Sequence, residues 1–224
     1  MSDSKNSKDS NELGLILDQD QVWENRFRKL PPAYKSLPFS SKTRDAAEFL
    51  MAAGASDVLD IGCGPGRWSI LFARLGMRPV GLDISATAIK LAEEWALEED
   101  LDARFAVGTA QVLPFPVNSF DAVVASAVID HLDMDEANEA VKEISRVLRP
   151  GGALFVSFDG PHLDPPEHHT LPDGTWIYQD EDNMGLKWRY YNDEEIKELL
   201  AGFEVLSWQA TPSGDRLIYA RQIA

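Results

Sequence analysis

The stretch Val58-Leu-Asp-Ile-Gly62-Cys-Gly64-Pro-Gly66-Arg67 decides the fold of this chain. A short apolar run, 58–61, enters three closely spaced glycines. A helical pattern over 69–75 follows and stops at Gly76. Glycine belongs where the chain turns sharply and a ligand must approach the backbone. A helix N-terminus beyond such a loop offers free N–H groups and partial positive charge. Gly81-Leu-Asp83-Ile84 comes about 19 residues after Gly64 and reads as the end of a second strand. An acid at that tip can accept both hydroxyls of a ribose.

Outward from this unit, strand and helix patterns alternate. A helix over 43–53 ends at Gly54. Strands are expected over 79–84, 103–107, 120–127 and 153–158. Helices are expected from Ser85 as N-cap to about Glu99, and over 135–148 before Arg149-Pro-Gly-Gly152. This rhythm predicts a doubly wound α/β sheet, mostly parallel, with helices on both faces. The end breaks the rhythm. After a helix over 193–200 capped by Asn192, segments 203–209 and 216–222 flank the turn Thr211-Pro-Ser-Gly-Asp215. Two strands joined so closely must be antiparallel, so the sheet ends on a reversed strand.

The nicotinamide fingerprint G-x-G-x-x-G is missed, because its spacing from Gly62 places Arg67 where the third glycine belongs. The stretch instead resembles motif I of the class I S-adenosylmethionine-dependent methyltransferases. Three further segments are similar to that family's small-molecule, type 11-like branch: Gly108-Thr-Ala-Gln-Val-Leu-Pro-Phe115, Asn118-Ser-Phe-Asp-Ala-Val-Val124 and Ile144-Ser-Arg-Val-Leu-Arg-Pro-Gly-Gly152. The likeness covers roughly residues 45–160. It implies a Rossmann-like sheet of order 3-2-1-4-5-7-6, with S-adenosyl-L-methionine as cofactor and S-adenosyl-L-homocysteine as product.

The resemblance also implies roles for particular residues. Asp60 would steady the loop and help hold the methionine amino group. Gly62, Cys63 and Gly64 would line the methionine and ribose, with Gly66 also in the cofactor-binding loop. Asp83 would take the ribose hydroxyls, and Ile84 would pack on adenine. Ala110 would offer its N–H to the ring, and Ser126 would face the methionine. The chain departs from the family at Thr109, where an acid usually accepts from the adenine amino group, and at Gln111, where Glu is common. A threonine hydroxyl accepts a hydrogen bond without charge assistance.

On the acceptor side stands His131, in Val128-Ile-Asp-His-Leu132, just past the fourth strand. Ligands of such sheets bind outside the carboxyl ends of the strands. His131 is therefore a candidate base, or a residue that orients the loop. Residues 159–192 are too long for a plain connection. They contain two strand-like runs, 175–179 and 186–190, whose alternation lets Trp176 and Tyr178 share one face of the first and Leu186, Trp188 and Tyr190 share one face of the second. That aromatic hairpin is expected to cap the substrate pocket; a dimer contact is the other reading.

Residues 21–44 carry six basic residues against one acid, Glu24, in a chain of net charge −16. With Trp23 and Tyr34 they form an arm that either docks as scaffold or closes a pocket as a lid. Trp23, Tyr34, Trp176 and Trp188 are expected around one pocket with His131 at its floor.

Length and composition bound the rest. At 224 residues the chain suits one domain, 21–224, behind a flexible polar tail, 1–20. So acidic a body is a poor binder of nucleic acid or anionic membrane. A single cysteine excludes an intrachain disulfide and suits the reducing cytoplasm. The clustered His162, His168 and His169 match no standard ligand spacing, so no metal is expected. The expected partner is a small-molecule substrate, and the expected state is monomer or homodimer. The function expected is methyl transfer to a small-molecule nucleophile. A module that binds the cofactor without catalysis is the alternative.

Overall fold

The structure, a computed structural model, describes residues 18–223. The expected tail, 1–20, lies outside the described residues up to position 17. Its boundary is corrected at the other end, because helix α1 (Gln19–Arg28) already includes Gln19 and Asp20.

The main sheet contains β1 (Asp57–Ile61), β2 (Arg78–Asp83), β3 (Arg104–Val107), β4 (Phe120–Ser126), β5 (Leu148–Phe158), β9 (Phe203–Ala210) and β10 (Arg216–Gln222). Its order is β3-β2-β1-β4-β5-β10-β9. The numbering differs from 3-2-1-4-5-7-6 only because three strands of the long connection intervene; β9 and β10 are the sixth and seventh strands of this sheet. β1, β2, β3, β4 and β5 pair in parallel, while β10 runs antiparallel to both β5 and β9.

Alternation along the strands sorts the core into two layers. Leu59, Ile61, Val123 and Ala125 face α5 (Met134–Val147) and α6 (Asp193–Leu199). Val58, Ala122, Val124 and Phe155 face α2 (Ser41–Ala52) and Phe72 of α3 (Arg67–Arg74). The helices begin where the sequence offers caps. Ser40 accepts from the Thr43 N–H, Ser85 starts α4 (Ala86–Glu98) by accepting from the Ala88 N–H, and Asp133 closes a capping box with Glu136 on α5.

Two parts of the architecture escape the sequence pattern. One is α1. The other is a small antiparallel sheet inside the long connection, made of β6 (His168–Thr170), β7 (Trp176–Tyr178) and β8 (Lys187–Trp188). The hairpin of β7 and β8 follows the expected one, with Trp176 opposite Trp188. β6 adds a third strand beyond the two strand-like runs of the sequence. Both α1 and the small sheet lie by the carboxyl ends of the parallel strands, where α1 contributes Val22 and Trp23 to a cluster with Trp176, Tyr178, Leu186 and Trp188.

Candidate functional site

The glycine loop has the backbone that the sequence demands. Gly62, Gly64 and Gly66 have φ of 64°, 53° and 86°, in the left-handed region. A Cβ at Gly62 would collide with the Val128 side chain. At Gly66 it would come to 2.8 Å from the Ala92 Cβ. Gly66 therefore lets the start of α3 pack closely on α4. Arg67 is free for another task.

Asp83 ends β2 beside this loop. One carboxylate oxygen accepts the Gly64 N–H at 2.8 Å and the other the Ser85 N–H at 2.9 Å. The carboxyl is buried, and burial raises its pKa against those hydrogen bonds. Asp60 is also buried. Its Oδ2 accepts from the N–H and hydroxyl of Ser69, at 3.1 and 2.7 Å. Desolvation pushes it up to about 7.

A cavity of about 780 Å³ opens at the strand ends. That is ample for a nucleoside and a second small molecule. It is lined by Ile61, Gly62, Asp83, Ile84, Thr109, Ala110 and Gln111 from the sheet end and its loops, together with Trp23 and Phe27 of α1, Ala127, His131 and Lys187. Of the residues expected at the site, Gly62, Asp83, Ile84, Thr109, Ala110, Gln111, Trp23 and His131 come together here.

The others do not line the cavity, and each has a physical reason. Asp60 turns one carboxylate oxygen, Oδ2, to Ser69. Cys63 points into the packing beside Gly81, and burial drives its thiol pKa well up, so no thiolate forms. Gly64 lies under the Phe27 ring, and Gly66 under α4. Ser126 turns to Ser157, whose hydroxyl also accepts the Ala127 N–H. Tyr34 is corrected most clearly. It packs edge-on against Trp95 at 5.5 Å, with Ile70 and Ala96, behind the glycine-loop helix. Trp176 and Trp188 face each other at 4.8 Å in the small sheet, one layer behind Trp23.

The histidines of the connection complete that layer. His162 stacks on Trp188 at 4.2 Å and His168 on Trp176 at 4.0 Å. The Tyr178 hydroxyl meets His162 Nδ1 at 2.9 Å. Among the described residues no group of three or more His, Cys, Asp or Glu could hold a metal ion.

His131 sits in the turn Ile129–His131, where its ring meets the edge of Trp23 at 4.9 Å. Its Nδ1 lies 2.8 Å from the Lys187 carbonyl oxygen. A carbonyl only accepts, so Nδ1 carries the proton and Nε2 keeps a lone pair. Burial lowers the pKa of the ring, which keeps it neutral at pH 7. Asp130 beside it is fully buried; burial and the nearby Asp159 push its carboxyl well up. Asp130 supports the turn through its backbone carbonyl, which accepts the Arg189 N–H at 2.7 Å.

Sequence reasoning missed the fastenings of the arm. Glu24 of α1 reaches the N-terminus of α4. It accepts from the Ser85 hydroxyl at 2.6 Å and the Thr87 N–H at 3.0 Å, and Thr87 Oγ1 donates to its other oxygen. These donors lower its pKa to about 2. Arg67 donates to the carbonyls of Tyr34, Leu37 and Pro38, which pins the segment after α1. Arg26 reaches Asn183 at 2.7 Å, and Lys35 pairs with Glu98 at 2.6 Å. The only signal in the sequence was the presence of an arginine where a glycine was expected. Ala127, with φ of 54°, gave no signal at all.

Residues 58–152 match the profile of the family described as "Methyltransferase domain". A ubiquinone biosynthesis O-methyltransferase of Coxiella burnetii is 27% identical over 157 residues, which is 70% of this chain and 65% of that protein. The chain thus spans just under two thirds of the length of the curated relatives it first matches. A SAM-dependent methyltransferase of Methanosarcina mazei superposes with a TM-score of 0.65 at 28% identity, over 75% of this chain and 92% of that one. The 1,6-didemethyltoxoflavin-N1-methyltransferase of Burkholderia thailandensis, solved with its substrate and S-adenosylhomocysteine, gives 0.70 at 19% identity, over 100% and 94%; that likeness speaks for the fold. In its matched segment and its fold the chain is similar to S-adenosylmethionine-dependent methyltransferase domains.

Proposed function

We propose that this protein moves a methyl group from S-adenosylmethionine to a small-molecule nucleophile. The observation that carries the proposal is one cavity lined by Gly62 and Asp83 together with His131, whose Nδ1–H is held by the Lys187 carbonyl. The residues fit the cofactor. Asp83 supplies a buried acceptor for paired hydroxyls, and Ile84 and Ala110 supply apolar surface for a flat ring. Thr109 and Gln111 supply neutral polar edges. Asp60 stands apart from this set and acts by holding α3 behind the loop.

When bound, the cofactor supplies a methyl group on a sulfonium, already activated for displacement. The protein's part is to orient, to exclude water and to take a proton. His131 Nε2 is the proton acceptor; its Nδ1–H stays on the Lys187 carbonyl throughout. Trp23 and Phe27 close the acceptor side against solvent. The arm 21–44 is read as a lid in its α1 part and as a fixed strap where Tyr34 docks. The insertion 159–192 backs the acceptor side through β8, and the chain acts as a monomer or homodimer on a soluble metabolite, in the cytoplasm. No helix of the described residues is long and apolar enough to cross a membrane.

His131→Gln tests the reading. General-base removal costs roughly a hundredfold or more in kcat. Because burial lowers the ring pKa from 6.5, the acid limb of the parent's kcat profile should lie below that value and disappear in the variant. A parent-like rate in His131→Gln would remove His131 from the chemistry.

A further inference from the structure

We infer that Gln19 is a positioning residue: by docking α1 on β8 it holds the Lys187 carbonyl that keeps His131 in its Nδ1–H form. The argument starts from β8, which is two residues long and pairs with β7 at only two positions, Trp176 with Trp188 and Ile177 with Lys187. So short a strand is weakly held by its own ladder. Its other backbone groups face outward and all are used. The Lys187 N–H donates to Gln19 Oε1 at 3.2 Å, and the Lys187 carbonyl accepts from His131 Nδ1 at 2.8 Å. The Arg189 N–H, just beyond, donates to the Asp130 carbonyl at 2.7 Å.

The second half of the Gln19 amide matters as much. Its Nε2 donates to the Gly185 carbonyl at 2.8 Å. One side chain therefore spans two backbone groups of the insertion, two residues apart, as a neighbouring strand would. Lys187 is the joint between three parts of the molecule. Its N–H meets α1, its carbonyl meets the His131 turn, and its ammonium meets Asp133 at 3.2 Å and Glu136 at 2.9 Å on α5. Trp23, one turn along α1 from Gln19, presses on the His131 ring at 4.9 Å. When α1 lifts away, β8 loses its outer bond and the imidazole loses the ring beside it. The proton can then sit on either nitrogen. A closed arm and a competent base are thus one state.

The inference rests on His131 as the proposed base, but it is read on the imidazole itself, in the protein without cofactor. The charges facing the ring come from three elements: Arg26 of α1 and His162 of the insertion favour its neutral form, and Asp159 past β5 favours its charged form. None of them is altered in the test. Long-range proton–nitrogen NMR of the histidine-labelled protein, with the His131 signals assigned by their loss in His131→Gln, reports which nitrogen is protonated.

The parent should show His131 mainly as the Nδ1–H form above its pKa. Gln19→Leu should raise the ratio of the Nε2–H to the Nδ1–H form about fivefold, the effect of one neutral hydrogen bond. Gln19→Glu keeps an acceptor for the Lys187 N–H but loses the donor to the Gly185 carbonyl, so its ratio should fall between those of the parent and Gln19→Leu. Gln19→Ala, which adds no bulk, should repeat the Leu result if Leu disturbs folding. An unchanged tautomer ratio in both apolar variants, or a parent already in the Nε2–H form, would overturn the inference. Failure of the methyltransferase reading would appear separately, as absence of S-adenosylhomocysteine binding by the parent.

Discussion

Single carboxyl groups carry much of this site, and their environments differ enough to separate their roles. Asp60 is held near 7 by burial, above its ordinary 3.8. The folded chain therefore keeps a proton that the unfolded chain releases between those values. Stability falls as pH rises from about 4 to about 7 and levels off above. Asp60→Asn keeps an oxygen for Ser69 but has no charge to desolvate. Urea melts at pH 4.5 and 7.5 should show the parent losing up to about 3 kcal/mol more than the variant across that span. Equal pH dependence in both would mean that Asp60 is not the group responsible. Thr109 poses the opposite case, a neutral hydroxyl residue lining the cavity. Thr109→Asp should tighten S-adenosylhomocysteine binding several-fold by charge assistance; weaker binding with the fold intact would show that Thr109 does not face the adenine amino group. Asp83 was legible in the sequence because strand, glycines, helix and terminal acid fix its place. The Ser69 partner of Asp60 was not legible, because a likeness transfers a residue's position but not the direction of its side chain.

At the scale of elements, the parallel strands and their helices could be read from alternation and glycine stops alone. α1 could not. Val22 is its only buried residue, so it shows no apolar stripe, and its aromatic rings cover a cavity instead of a core. What holds it is Glu24 on the N-terminus of α4. Because the Glu24 pKa is lowered from 4.5 to about 2, its contribution is complete above 4.5 and lost as pH falls through about 2. Glu24→Gln should speed hydrogen exchange across Gln19–Arg28 at pH 7 severalfold; unchanged exchange would mean the helix is held elsewhere. Arg67 secures the next segment. Arg67→Gly would restore the nicotinamide spacing but lose hydrogen bonds to three carbonyls and a helix former. The expected cost is about 2 kcal/mol in a urea melt. A variant as stable as the parent would show that the strap is not fastened there. The pocket expected around Trp23, Tyr34, Trp176 and Trp188 failed at Tyr34 for a related reason. Aromatic content marks a residue for burial but does not say against which face, and Trp95 offered Tyr34 a partner behind the sheet.

For the whole molecule, the arm, the insertion and the sheet meet around one cavity at the strand ends. Gln19, Trp23 and Phe27 of α1 line that cavity, so residues 19–28 should exchange hydrogen faster without S-adenosylhomocysteine than with it, while Tyr34 and its neighbours change little. The most direct test of the central claim is calorimetric titration of S-adenosylhomocysteine into the parent and into Asp83→Ala. The account predicts one site per chain in the parent and at least tenfold weaker binding in the variant, since two hydrogen bonds to a charged acceptor are lost, with a melting temperature close enough to the parent's to show an intact fold. No binding by the parent, or the same affinity in a folded Asp83→Ala, would contradict it.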